Sequence, residues 1–338
     1  MKHRIECPYC DGYATSQQQS KELTYRKEVF KVVAHYFKCE KCGEEFTTTE
    51  SDTLTMTQVH NQYREENKIL FPEEIIAIRE KYQLSAAKMS EVLGLGANGY
   101  GNYEKGEMPL PAIANLISTV ARPEIFEELL DNAKMHFSDN AFNKIKNRIA
   151  TLINEKKQDS PYHFTLNVFN KPNNYTGYKI PDSHKIANLL IHFIQVCVSA
   201  FNDKLKLNKL LFFTDFCHYK HHGQSVTGLS YRAIKYGPVP AYYDNIYTFL
   251  ENQQVIVSDW ECLNNGGVRE IFKTDRIFEH TLFTEEEMAT INMVVKRFKD
   301  IPTWDIVELS HKEKSWRELE IDRKLISYQD YAFDLQSV

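Results

Sequence analysis

The spacing of apolar positions changes several times along the chain. Between residues 22 and 38 the run ELTYRKEVFKVVAHYFK is dense in β-branched and aromatic side chains, which predicts strands. From Phe71 the spacing becomes helical. Pro72 suits a first helical position, and EEIIAIREKYQ sets Ile75, Ile76, Ile78 and Tyr82 on one broad apolar face. Ser85 can cap a second helix, AAKMSEVLG, which closes at Gly94. The short turn LGA leads to a third helix, NGYGNYEKG, stopped by Gly106; Pro111 and Pro123 open a fourth and a fifth. Five short helices with a tight glycine turn between the second and third predict a helix-turn-helix unit, its third helix placed in the major groove. The basic stretch KIKNRIATLINEKK (144–157) has helical periodicity but runs into polar QDSP, and it is assigned to a connector.

The C-terminal half mixes both periods. Asp182 and Ser183 cap a helix from Lys185 to about Ala200, and KLKLNKLLFFTDFCHYKHHG turns Leu207, Leu210, Leu211 and Phe213 inward before closing at Gly223. Extended pieces follow: SVTGLSYRAIKYGPVP, VIVSDW and GVREIFKT, with Gly266-Gly267 suggesting a hairpin turn. In the first of these, Gly237, Pro238 and Val239 are expected to end a strand and start a helix. Helices return at PAYYDNIYTFLEN, TEEEMATINMVVKRFK and PTWDIVELSHKEKSWRELE. Helices, a small sheet and helices again predict an α+β domain. The expected organisation is multi-domain α+β: a small β domain (1–69), an all-α helix-turn-helix domain (70–135), a linker (136–160) and a C-terminal α+β domain (161–338).

Composition narrows the classes. The 338 residues hold 42% apolar and 26% charged side chains, 13 glycines and 11 prolines, which suits a folded multi-domain chain and not a low-complexity one. The most apolar run, Ile186 to Phe201, carries Asn188, His192 and Gln195 and is too short to span a bilayer. The opening MKHRIECPYCDG lacks the apolar core of an export signal, so a cytoplasmic location and no membrane partner are expected. The formal charge is −5, and residues 71–135 carry 6 basic against 10 acidic side chains, so strong non-specific DNA binding is not expected there.

Seven cysteines are of two kinds. Cys197, Cys217 and Cys262 are scattered, whereas Cys7, Cys10, Cys39 and Cys42 form two C-x2-C pairs separated by 28 residues. Each pair can put two thiolates on one turn, and two such knuckles complete a tetrahedral set around one zinc ion. Four protein ligands leave no open position, so the site is expected to be structural. A redox dithiol is the weaker alternative.

The two knuckles, the Glu50-Ser51-Asp52 string, P-E-x-I, and the turn G-L-G-A-N ending in Y-E-K-G together resemble the MqsA family of antitoxins over residues 1–135. The resemblance implies a zinc domain joined to a helix-turn-helix domain that dimerises and represses its own operon. The family's recognition-helix asparagine falls on Asn98, and an amide can contact adenine N6 and N7 bidentately. The family's arginine four positions later is Asn102 here, so the operator should differ from the family's. Lys88, Lys105 and Arg79 are the expected phosphate contacts, with help from the basic connector.

Further on, L-N-K-L-L-F-F, Y-R-A-I-K-Y-G-P-V-P and L-S-H-K-E-K-S-W (309–316) resemble the Panacea domain of SocA-like antitoxins over about 184–325. That resemblance implies neutralisation of a protein toxin by direct contact, with adaptor function in proteolysis for some members and no catalytic residues. Tyr231, Tyr236, Tyr242, Tyr243 and Tyr247 crowd the G-P-V segment. Tyrosine is favoured at interfaces, so the first four are candidate toxin contacts, with core packing the alternative. His218, His221 and His222 near Asp215 could share a helix face as a metal or acid–base cluster, but a solvated helix end explains them better. His311 and Trp316 read as a packed aromatic pair.

The expected function is that of a non-enzymatic antitoxin of a type II toxin–antitoxin system, its partners a toxin, operator DNA and a second copy of itself. A stand-alone transcription regulator, a proteolysis adaptor and a zinc enzyme are the alternatives.

Overall fold

The computed structural model describes residues 4–155, 167–198, 202–262 and 268–338. The chain divides into two compact units. One holds the described residues up to Gln62 together with those from 167 to 338; the other holds 63–155.

The first unit begins with a four-stranded antiparallel sheet in sequence order: β1 (Arg4–Glu6), β2 (Tyr13–Tyr25), β3 (Glu28–Cys39) and β4 (Glu45–Phe46). The expected strands between the knuckles are therefore one long hairpin. Its register pairs Tyr25 with Glu28, leaving a two-residue turn at Arg26 and Lys27 with φ of 48° and 74°. Positive φ at both central positions matches the right-handed twist of the flanking strands. Helix α1 (Thr49–Glu66) follows, and the boundary between the units falls inside it.

Residues 63–155 complete α1 and add α2 (Pro72–Lys81), α3 (Ala86–Leu93), α4 (Gly99–Glu104), α5 (Pro111–Thr119), α6 (Pro123–Asn132) and α7 (Asp139–Glu155). Local chemistry sets these bounds. The Ser85 side chain accepts the Lys88 amide, and Gly94 closes α3 at φ 66°, a conformation that penalises other residues. Tyr82 stacks on Phe126 at 3.9 Å, and the buried hydroxyls of Tyr82 and Tyr100 donate to the Val120 and Ile75 carbonyls. The expected linker is corrected here. Within 136–155 the chain forms α7, whose Phe142, Ile145, Ile149 and Leu152 are buried in the core of this unit. Its apolar stripe needed a partner face, and α6 supplies one. Residues 156–160 lie outside the described residues.

The C-terminal part of the first unit contains α8 (Ser183–Val196), α9 (Lys204–His222), β5 (Tyr231–Ile234), β6 (Gly237–Pro240), α10 (Tyr243–Asn252), β7 (Val257–Cys262), β8 (Val268–Lys273), α11 (Glu285–Phe298), α12 (Thr303–Lys312), α13 (Lys314–Leu319) and α14 (Tyr328–Tyr331). Every residue of α9 from Lys206 to Tyr219 is buried, with α8, α11, α12 and β6 packed around it. The strands form two separate hairpins, β5–β6 and β7–β8. Gly266 and Gly267 lie outside the described residues, and the helix expected to run to about Ala200 ends at Val196, where Cys197 turns extended with ψ 158°.

Two local expectations change. Gly237, Pro238 and Val239 lie wholly within β6, and helix α10 begins only at Tyr243. Proline is tolerated in this two-stranded hairpin because its missing donor can face away from the partner. The expected long helix from Pro302 breaks at Glu313, whose ψ is 138°. There the Glu313 carboxylate is buried and accepts from the amides of Gln336 and Ser337, contacts from the chain terminus that local sequence does not announce.

Candidate metal centre and interaction surfaces

The sheet brings the four cysteines together at one end, where the start of β2 lies beside the end of β3 and Ala14 pairs with Cys39. Cys7 and Cys10 flank the β1–β2 turn, while Cys39 ends β3 and Cys42 lies in the turn before β4. Their sulfurs all lie within 4.8 Å of one another, with Cys7–Cys42 at 3.8 Å and Cys10–Cys39 at 3.6 Å. A disulfide would need about 2 Å. Zinc–sulfur bonds of about 2.3 Å in a tetrahedron put sulfurs roughly 3.8 Å apart, so the set fits zinc. The Tyr9 amide donates to Cys7 Sγ, and those of Lys41 and Cys42 to Cys39 Sγ, each at 3.4 Å. Donation from Cys42, and then Lys41, holds the Cys39 thiol down at about 6, favouring the thiolate that a metal requires. Gly12 is needed for close approach: a Cβ there would lie 2.7 Å from Lys41 Cβ and 3.2 Å from Cys10 Sγ.

The helix-turn-helix presents a narrow polar stripe. Asn98 stands just before α4 without a side-chain capping bond, Asn102 lies one turn on and Lys105 follows it, and all three are exposed while Tyr100 is turned into the core. Glycine at 99 lets α4 approach the preceding turn: a Cβ there would lie 2.9 Å from Leu95 Cβ. The other two expected phosphate contacts are engaged elsewhere. Arg79 donates to Glu104 at 2.5 Å and to the Leu84 carbonyl at 3.0 Å, and its side chain is 19% exposed. Lys88 bonds Glu91 and the His136 carbonyl. In α7, Lys146 pairs with Glu127 and Asp131, and Arg148 donates to the Lys81 carbonyl, so much of the basic stretch braces its own unit.

The candidate tyrosines of the C-terminal domain divide. Tyr231 is fully buried, and its hydroxyl donates to Asp215 Oδ2 at 2.7 Å, so it is a core residue and not a contact surface. Asp215 also accepts from the Val226 and Thr227 amides, and burial still pushes its carboxyl up to about 6. Tyr247 is buried as well. Tyr236 and Tyr242 are more than 40% exposed, and Tyr243 is half-buried. Tyr236 meets Trp304 edge-on at 6.1 Å, and Trp304 is 60% exposed, an aromatic neighbour that sequence reading missed.

The histidines of α9 do not form a metal cluster, and the expected solvated helix end holds for exposed His222 but not for buried His218. His218 is buried against Thr290 (3.0 Å), His222 stacks on it at 4.4 Å, and burial pushes His221 down to about 3. Among the described residues the four cysteines form the sole set of metal-ligating groups. His311 does stack on Trp316, at 3.8 Å. The Panacea-like strings converge on Lys209: its buried ammonium donates to the Pro238 carbonyl at 2.9 Å. A Cβ on Gly237 would clash with Lys209 Cε and Ser310 Oγ, so this β6 position must be glycine. Among the described residues no helix is long and apolar enough to cross a membrane.

A family model described as the antitoxin component of a bacterial toxin–antitoxin system, MqsA, matches residues 5–130. A second, described as the antitoxin SocA-like Panacea domain, matches 207–317. Antitoxin MqsA of Escherichia coli (strain K12) is 30% identical over 131 residues, an alignment covering 37% of this chain and 99% of that protein.

Proposed function

This chain belongs to the MqsA family of antitoxins, and from that premise we propose that it neutralises a protein toxin by direct binding through its C-terminal domain and represses its own operon through the helix-turn-helix. The observation carrying this reading is the presence in one polypeptide of two separately recognised antitoxin regions, one with an exposed amide stripe and the other with an exposed aromatic cluster.

Each part has a stated role. Zinc held by Cys7, Cys10, Cys39 and Cys42 is structural, since four thiolates saturate a tetrahedral ion. Asn98 and Asn102 read base edges, and Lys105 contacts phosphate. Dimeric binding sets two half-sites about 34 Å apart. Tyr236, Tyr242 and Tyr243, joined by Trp304, cover the toxin, because large rigid aromatics supply contact area at low entropic cost. Neutralisation is stoichiometric masking without turnover.

Co-expression of the full chain with the reading frame beside its gene tests this: rescue of growth and a stable complex are expected. Footprinting upstream of the gene should show two protected half-sites. Growth arrest unrelieved by this protein, or protection of one isolated half-site, would count against the corresponding role.

A further inference from the structure

We propose that the outer edge of β7 is a strand-addition site, which takes an extended segment of the bound toxin alternating apolar and basic residues; this rests on the toxin-binding reading of the C-terminal domain.

The hairpin β7–β8 is antiparallel, pairing Ser258 with Phe272, Trp260 with Glu270 and Cys262 with Val268. The Phe272 amide donates at 2.8 Å to the Asn202 carbonyl, outside the hairpin. It therefore belongs to a non-hydrogen-bonded pair, and by the alternation of an antiparallel ladder Ser258, Trp260 and Cys262 point their backbone groups away from β8. Asn202 covers the far side of β8. On the far side of β7, the Trp260 amide is met by the side chain of its own neighbour Asp259, and no backbone among the described residues pairs with this edge. An open strand edge is a template for another extended chain.

The side chains along this edge specify the occupant. One face of the hairpin presents Trp260 and Val268, 63% and 60% exposed, with exposed Cys262 between them at the hairpin end. The other face carries Asp259 and Glu261 on β7, matched by Lys273 and Arg269 on β8. An incoming strand lies beside β7, so its neighbours on that face are the two acids, with the bases one strand further away. It is matched by basic residues there and by apolar residues beside Trp260. A second copy of this chain fits poorly: antiparallel self-pairing centred on Trp260 sets Asp259 against Glu261.

The experiment uses the full zinc-loaded protein and the purified product of the neighbouring reading frame. Binding by the wild-type protein is measured first and tests the toxin reading on its own. Amide exchange in the complex should then show new protection at 257–262. Ser258→Pro, which deletes an outward N–H without touching the ladder to β8, should weaken binding by about tenfold or more. The double variant Asp259→Lys, Glu261→Lys, which keeps every backbone N–H but also breaks the pairs to Lys273 and Arg269, should weaken it similarly. A complex that forms with unchanged exchange at 257–262, or full affinity in the charge-reversed variant, overturns the proposal.

Discussion

Gln58 and Gln329 meet at 2.9 Å, the side-chain amide of Gln329 donating to Gln58 Oε1. The same oxygen accepts the Val33 amide at 2.8 Å, and Gln58 Nε2 donates to the Val33 carbonyl, so one buried glutamine satisfies both backbone groups on the open edge of β3. Tyr219 of α9 donates to Gln329 Oε1, and Asn61 donates to the Gly223 carbonyl at the end of α9. The zinc-bearing sheet and the C-terminal domain are thus joined through side-chain amides.

Gln58→Ala should destabilise that unit by about 2–3 kcal/mol, because it strands a buried N–H and C=O. In a thermal melt, only the transition of the unit containing the sheet should move. An unchanged midpoint would show that the amide network contributes nothing.

Zinc removal should act at the same place. Cys39→Ser, or chelation, is expected to lower zinc content below one ion per chain and to cost more stability than Gln58→Ala, since metal binding supplies folding energy to small metal-bound domains. Atomic absorption and a melt of the same sample check this. Full zinc content in the variant would contradict the four-thiolate site.

On the proposed DNA face, Asn98→Ala and Asn102→Ala should each cost about 1–3 kcal/mol of operator discrimination. Lys105→Ala should weaken all DNA sequences alike and flatten the salt dependence by about one unit of slope. Arg79→Ala should lower the melting temperature and leave the salt slope unchanged, because its guanidinium is spent on Glu104 and Leu84. Titrations at two or more salt concentrations separate these outcomes.

Two tyrosines should behave in opposite ways. Tyr231→Phe removes a hydrogen bond to buried Asp215 and should lose about 1–2 kcal/mol of stability. Tyr236→Ala should leave the melt unchanged and weaken the toxin complex. The reverse pattern would relocate the contact surface.

Acid should loosen the unit containing the sheet. Burial, with Lys220 nearby, pushes His35 down to about 4, and burial pushes His221 to about 3. For both, the unfolded chain binds the proton first, so the stability they contribute is present above about pH 6.5 and is lost as pH falls toward 4. Asp215 opposes this: its raised carboxyl takes a proton first in the folded state, below about pH 6. Two histidines outweigh one aspartate, so the midpoint should fall between pH 7 and 5. His35→Phe should flatten that slope, and comparing the two proteins cancels any effect of metal loss.

Much of this protein is written locally. Cysteine spacing identifies a four-thiolate site, because ligand geometry depends on a few residues per turn. Proline, serine and glycine positions mark the helices of residues 72–132, because caps and turns are short-range. The strings around Lys209, Gly237 and Ser310 announce a second antitoxin domain before their convergence is visible. What local pattern does not contain is which surface a side chain finally meets. The stripe on α7 is equally suited to a connector or a core, and α6 decides it. Tyr231 and Tyr236 look alike in sequence, yet one is sealed beside Asp215 and the other lies open beside Trp304. Arg79 and Lys105 carry the same charge, but a carboxylate 25 residues away from Arg79 engages it. Only long-range packing sets burial and partners, and these separate structural residues from those free to touch DNA or a toxin.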